Sequence, residues 1–306
     1  MDPTVPPAPF DRRAHRIHRA RAARALPAHD FLFDEIGEQL LDRLSDFRRD
    51  FSAVLNLSCR GGRLASALAA SGALVVQADL APEMAAAARH ANDLPTVAAD
   101  EEWLPFKEAA FDLVVSNLGL HWVNDLPGAL VQIRRVLKPD GLFLGAMFGS
   151  GTLDTLRETL MAAEIEVEGG ASPRISPFAE VRDGGDLLAR AGFALPVADQ
   201  DSLRVSFTDA LALMRDLGAM GESTCAHARR KSFSRRATLA AAAARYPQTP
   251  NGRIEAEFGI IMLTAWAPGP NQQKPLRPGS AASRLADHLG APEQSAGDTA
   301  PGPKKS

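Results

Sequence analysis

The sequence predicts an α/β protein built on a parallel sheet with helices on both faces, and three observations carry that prediction. Short apolar runs alternate with helical segments between Ala53 and Phe148, the pattern of βαβ units whose strands are covered on both sides. With 306 residues, 45% hydrophobic and 23% charged, the chain has the composition of a globular protein with a sizeable core. That length suits one α/β domain carrying a cap and a loose tail.

The elements follow in order. Residues 1–9 (MDPTVPPAP) are Pro-rich and expected to be disordered, and residues 10–50 form an N-terminal helical segment. It holds a basic first helix and then Phe31, Ile36, Leu40, Leu41 and Leu44 at helical spacing. Strands are read at AVLNL from Ala53, ALVVQA from Ala73, TVAA from Thr96, FDLVVSN from Phe111 and GLFLGAMF from Gly141. Helices fall between them at Arg63, Pro82 and Pro127, and Lys138 to Gly141 reads as a turn before the fifth strand. This core spans 51–150. From 151 to 267 the alternation loosens into a cap: a helix from Asp186 stopped by Gly192, a strand from Ser202, helices from Phe207 and Arg235, and a closing strand from Ile254. The polar, Pro- and Gly-rich stretch 268–306 cannot bury enough apolar surface to fold and is expected to be a disordered tail.

Charge narrows the function. The formal charge is −3, and the basic residues gather at the ends, so a general nucleic-acid binder is not expected. Cys59 and Cys225 are too few for a disulfide framework or a zinc site, which fits a reducing compartment. No apolar run reaches the roughly 18 residues of a membrane helix, so no membrane insertion is expected. The N-terminus is rich in Arg and Ala, the composition of an organellar transit peptide, yet a basic first helix explains it as well; a cytoplasmic location is expected, or the mitochondrial matrix in a eukaryote.

Chemistry is expected where the strands end. In such sheets the first strand-to-helix turn holds the ligand, and here that turn is NLSCRGGRLA from Asn56. Asp79 ends the second strand seventeen residues beyond Gly62, a position from which a carboxylate holds ribose hydroxyls, or else caps the helix at Pro82. Asp100 follows the third strand and can accept a hydrogen bond from an adenine amino group. Past the fourth strand lie Asn117, His121 and Trp122. His121 is a candidate general base and Trp122 a candidate cation–π wall for a guanidinium, unless both pack against the following helix. Cys225 and His227 read as part of a capping loop with an ordinary thiol.

Taken together, the glycine turn, Asp79, Asp100, Leu104-Pro105-Phe106, FDLVVSN and LKPDG resemble the class I S-adenosylmethionine-dependent methyltransferases over Val54 to Phe148. That resemblance implies a Rossmann-like, mostly parallel seven-stranded sheet with an antiparallel edge strand, and S-adenosylmethionine as cofactor. It implies a cofactor site of Asn56, Ser58, Gly62, Asp79, Leu80, Asp100, Glu101 and Asn117. A narrower resemblance runs from Phe10 to about Trp266 through ADEEWLPFKEAAFDLVVSNLGLHWVNDLPGAL, EGGASPRISPF and MGESTCA. These segments look like the complex I assembly factors with a methyltransferase fold and their bacterial relatives. That family implies a protein substrate, an arginine of an NADH dehydrogenase subunit. A carboxyl methyltransferase acting on a malonyl carrier protein and a non-catalytic assembly chaperone are the alternatives.

The sequence departs from the superfamily turn D-x-G-x-G-x-G. Its acid and glycine positions hold Asn56, Ser58, Arg60 and Gly62, and Arg60 either pairs with the cofactor's carboxylate or occludes the site. None of the seven histidines is followed two residues on by Asp or Glu, so the local half of a two-His-one-carboxylate iron site is absent and no metal is expected.

Overall fold

The computed structural model describes residues 8–176 and 178–270, with isolated positions 272, 283, 287 and 290 beyond. The expected disorder of 1–9 and 268–306 therefore falls largely outside the described residues. In chain order the body comprises α1 (Arg12–Ala22), α2 (Phe31–Ser45), β1 (Ala53–Leu57), α3 (Arg63–Ala69), β2 (Leu74–Asp79), α4 (Pro82–Asn92) and β3 (Thr96–Ala98). It continues through β4 (Phe111–Asn117), α5 (Leu126–Val136), β5 (Leu137–Gly149), α6 (Asp154–Glu168), α7 (Val181–Arg190), β6 (Ala194–Phe207), α8 (Ala210–Met220), α9 (Arg236–Arg245) and β7 (Ile254–Trp266).

The strands form one seven-stranded sheet in the order β3-β2-β1-β4-β5-β7-β6. The first five run parallel, and β7 pairs antiparallel with both β5 and β6. Successive side chains of the central strands enter opposite cores, as the two-residue period of a strand requires. Val54, Leu113 and Leu142 pack with Leu32, Ile36, Leu40 and Leu213 on one face; Leu55, Val114 and Phe143 pack with Ile133, Val136 and Leu188 on the other. Both faces are thus covered, which is why these strands read as continuous apolar runs.

Three readings change. Lys138 to Gly141 lies within the bounds of β5 and not before it, as an irregularity between the pairs of Leu137 and Leu142 with β4, with Asp140 at a φ of +61°. The strand read from Ser202 begins at Ala194, and α7 begins at Val181, where Glu180 and Asp183 close a capping box. Asp79 is not the helix cap: Ala81 is, and its N–H donates to Asp79 Oδ1 at 3.0 Å.

Candidate active site

The strand order reverses between β1 and β4, and the C-terminal ends of the strands there form the crevice in which such sheets bind ligands. The turn after β1 is tightly wound. Ser58 and Arg60 both take φ of +53° and Gly62 takes +83°, so the chain doubles back before α3. A Cβ at Gly62 would meet Asn92 Nδ2 at 2.7 Å, which together with the left-handed backbone makes glycine necessary there.

Asp79, at the end of β2, is fully buried and fully engaged. Arg19 of α1 donates through Nε to Oδ1 at 3.0 Å and through Nη2 to Oδ2; the Arg60 and Ala81 N–H groups add bonds of 3.4 and 3.0 Å. Four acceptor sites are what a carboxylate offers. Asp100 and Glu101 meet a second arginine of the same helix: Arg12 Nη2 donates to Asp100 Oδ1 and, at 2.7 Å, to Glu101 Oε2, while Ser58 Oγ donates to Glu101 Oε1 at 2.8 Å. Arg12 and Arg19 reach these acids together because seven residues are close to two helical turns.

Arg60 is buried and engaged on the cap side. Its Nη2 donates to Glu222 Oε1 at 2.7 Å, its Nη1 to the Met220 carbonyl at 3.2 Å, and its guanidinium lies 3.9 Å from the Phe33 ring centroid. Burial, and then repulsion from Arg19, pull this guanidinium down to about 10. Glu222 is the hub of the cap side. Its other oxygen accepts from Trp122 Nε1 at 2.7 Å and meets His121 Nε2 at 3.1 Å. Burial opposes its ionisation, but Arg60 and the His121 bond outweigh burial and hold it well below the usual carboxylate range. Burial also lowers His121, whose ring packs against Trp122, Phe148 and Phe178.

Sequence reasoning singled out Asn56, Ser58, Gly62, Asp79, Leu80, Asp100, Glu101 and Asn117, and the structure brings them to one end of the sheet. Asn117 Nδ2 donates to the Phe33 carbonyl at 2.7 Å, while its Oδ1 and both amide atoms of Asn56 are buried without a hydrogen-bond partner among the described residues. The Trp122 ring packs against Phe10 and His15, at centroid distances of 5.3 and 5.6 Å. Cys225 is buried and its thiol is pushed up to about 12 by burial, so it is a poor nucleophile. Arg12, Arg19 and Glu222 were missed as site residues, because each meets its partner across 60 or more positions of chain and leaves no local signal. Among the described residues no three His, Cys, Asp or Glu side chains converge as a metal-holding group.

The strand order and the acids ending β2 and β3 define a methyltransferase of the Rossmann-like class I type. Residues 55–145 match the family model of a methyltransferase domain. A solved structure of a proposed methyltransferase from Bacillus halodurans superposes with a TM-score of 0.54 at 16% identity, covering 76% of this chain and 99% of that one. The chain belongs to the family of the mitochondrial arginine-hydroxylase NDUFAF5. It is 42% identical to the Danio rerio protein over 91% of this chain and 88% of the relative, and 45% identical to the Homo sapiens protein over 89% and 81%. A malonyl-[acyl-carrier protein] O-methyltransferase of a Methylovorus species is 34% identical over 83% and 88%.

S-adenosylmethionine is the cofactor of this class, and the donor chemistry suits it: acids at the ends of β2 and β3. The cavity at the glycine turn, lined by Phe33, Asn56, Ser58, Arg60 and Asn117, measures about 20 Å³, and with α1 seated the carboxylates of Asp79, Asp100 and Glu101 are engaged by Arg19 and Arg12.

Proposed function

We propose that this protein is an enzyme of the S-adenosylmethionine-dependent superfamily that modifies a protein substrate, an arginine of an NADH dehydrogenase (complex I) subunit, during assembly of that complex. The observation that carries the reading is identity of 42–46% to proteins named arginine-hydroxylase across nearly the whole chain. Asp79 would hold the ribose hydroxyls, Asp100 and Glu101 the adenine, and Asn56, Ser58, Gly62, Leu80 and Asn117 the rest of the cofactor. On the cap side, Glu222 supports the arginine reading, because its carboxylate, braced by His121 and Trp122, already holds one guanidinium. A cavity of about 360 Å³, lined by His18, Arg174, Leu217, Glu222, Thr224 and Arg229, opens beside it and suits a peptide segment.

The test is to incubate the purified chain with S-adenosylmethionine and arginine-bearing peptides of NADH dehydrogenase subunits, then map mass changes. A gain of one methylene at a single arginine, with release of S-adenosylhomocysteine, is expected, or, where dioxygen and a two-electron reductant are also supplied, a gain of one oxygen with the second oxygen leaving as water. The second reading, a carboxyl methyltransferase, is favoured by the 34% identical relative; methyl transfer to a malonyl carrier protein with no change at any arginine would establish it instead.

A further inference from the structure

We propose that α1 is an intramolecular occupant of the cofactor cleft: Arg12 and Arg19 sit on the carboxylates that hold the cofactor, so the seated helix and the bound cofactor exclude one another. The proposal rests on the reading of Asp79, Asp100 and Glu101 as cofactor ligands. Three observations carry it.

The first is saturation. Asp79 accepts from Arg19 Nε, Arg19 Nη2 and two backbone N–H groups, which leaves no lone pair for a ribose hydroxyl. Glu101 is taken by Arg12 and Ser58.

The second is the way α1 is held. Its buried residues are Ala14, His15, Arg19 and Ala22, so alanine is the only apolar residue type that it buries. By contrast α2 buries Leu32, Phe33, Ile36 and Leu40. The helix is seated by ion pairs, by the packing of Phe10 and His15 on Trp122, and by a short clamp ahead of it, where the Asp11 N–H donates to the Cys225 carbonyl at 2.8 Å and the His227 N–H to the Pro9 carbonyl at 2.9 Å. Elements with little buried apolar area are the ones that open locally.

The third is that the closed cleft leaves polar atoms unsatisfied. Among the described residues, Arg12 Nε, His15 Nε2 and Arg19 Nη1 on the helix, and both amide atoms of Asn56 and Asn117 Oδ1 at the glycine-turn cavity, are buried without a hydrogen-bond partner. A core closed for good would pair such groups. A polar ligand entering as α1 leaves would supply partners for those on the sheet side and return those on the helix to water.

The test uses the full chain and S-adenosylmethionine itself, titrated calorimetrically. The Arg12→Gln, Arg19→Gln double variant should bind at least about tenfold more tightly than the parent. Because it leaves Asp79 without its cation, a second variant guards against misfolding. A Cβ on Gly221 would lie 3.2 Å from Ala22 Cβ, so Ala22→Cys, Gly221→Cys places two thiols close enough to bridge after a small shift. Oxidised, this variant should lose binding at least about tenfold and regain it on reduction, the reduced form controlling for strain at Gly221. As an independent readout, trypsin should cut within α1 faster when the cofactor is added to the parent. Equal binding by oxidised and reduced forms, or weaker binding by a folded double variant, would overturn the proposal while leaving the cofactor reading intact. Absence of binding in every form would overturn both.

Discussion

The most consequential single residue is Glu222, because three buried groups depend on its carboxylate. Removing that charge while Arg60 stays buried should cost about 3–5 kcal/mol, the usual result of stranding one member of a buried pair. Arg60→Gly takes away the cation and also relieves a non-glycine residue at φ +53°. The Glu222→Gln, Arg60→Gly double variant should therefore be more stable than Glu222→Gln alone. A double-mutant cycle by urea denaturation should give a coupling of at least about 1 kcal/mol, and additive losses would mean that the pair is not mutually dependent. At this scale the sequence was legible on one side only. Asp79 and Asp100 could be placed at the ends of the strands because a strand end and a glycine turn fix where a carboxylate must lie. Their partners could not, because Arg19 lies 60 positions from Asp79 and no local pattern encodes a long-range ion pair.

The elements divide along the same line. β1, β4 and β7 fall where the apolar runs place them, since strands buried on two faces leave a dense local signal. α6 was invisible, although it has 15 residues, because its acidic face and its four buried hydrophobic and threonine positions make a weak pattern beside a loop of similar composition. The turn at Lys138 to Gly141 persists as an irregularity inside β5, between the pairs of Leu137 and Leu142 with β4. Where β7 crosses β5, Gly259 lies opposite Gly149, and a Cβ on Gly259 would run into the Ser150 carbonyl oxygen. The contact is backbone, so no side-chain rotation relieves it. Gly259→Ala should destabilise the fold by about 1–3 kcal/mol, measured as a lower urea midpoint with an unchanged slope; an unchanged midpoint would mean that β5 and β7 can part without loss.

For the molecule as a whole, burying so many titratable groups bounds the pH range of stability on both sides. Burial pulls His15 well below its ordinary 6.5 and lowers His121 as well. Below pH 6.5 the unfolded chain then binds protons that the folded one refuses, and stability falls as the pH drops. Glu222 adds a second acid step below its ordinary 4.5, because its carboxyl is held down in the fold and must be protonated as the pH falls further. The alkaline limb has the opposite origin. Burial raises the Cys59 thiol well above its ordinary 9.0 and pushes Cys225 up to about 12, so above pH 9 the unfolded chain releases protons that the folded one keeps, and stability again falls. The thermal midpoint should therefore form a plateau between roughly pH 6.5 and 9 and decline on either side. Replacing His15 with Phe should make the acid limb shallower, and Cys225→Ala the alkaline one, each leaving the other limb in place. If His15→Phe left the acid limb unchanged, the proton uptake would have to be assigned to His121 and the carboxylates around Glu222, and the helix that carries His15 would be exposed to solvent more often than its packing implies.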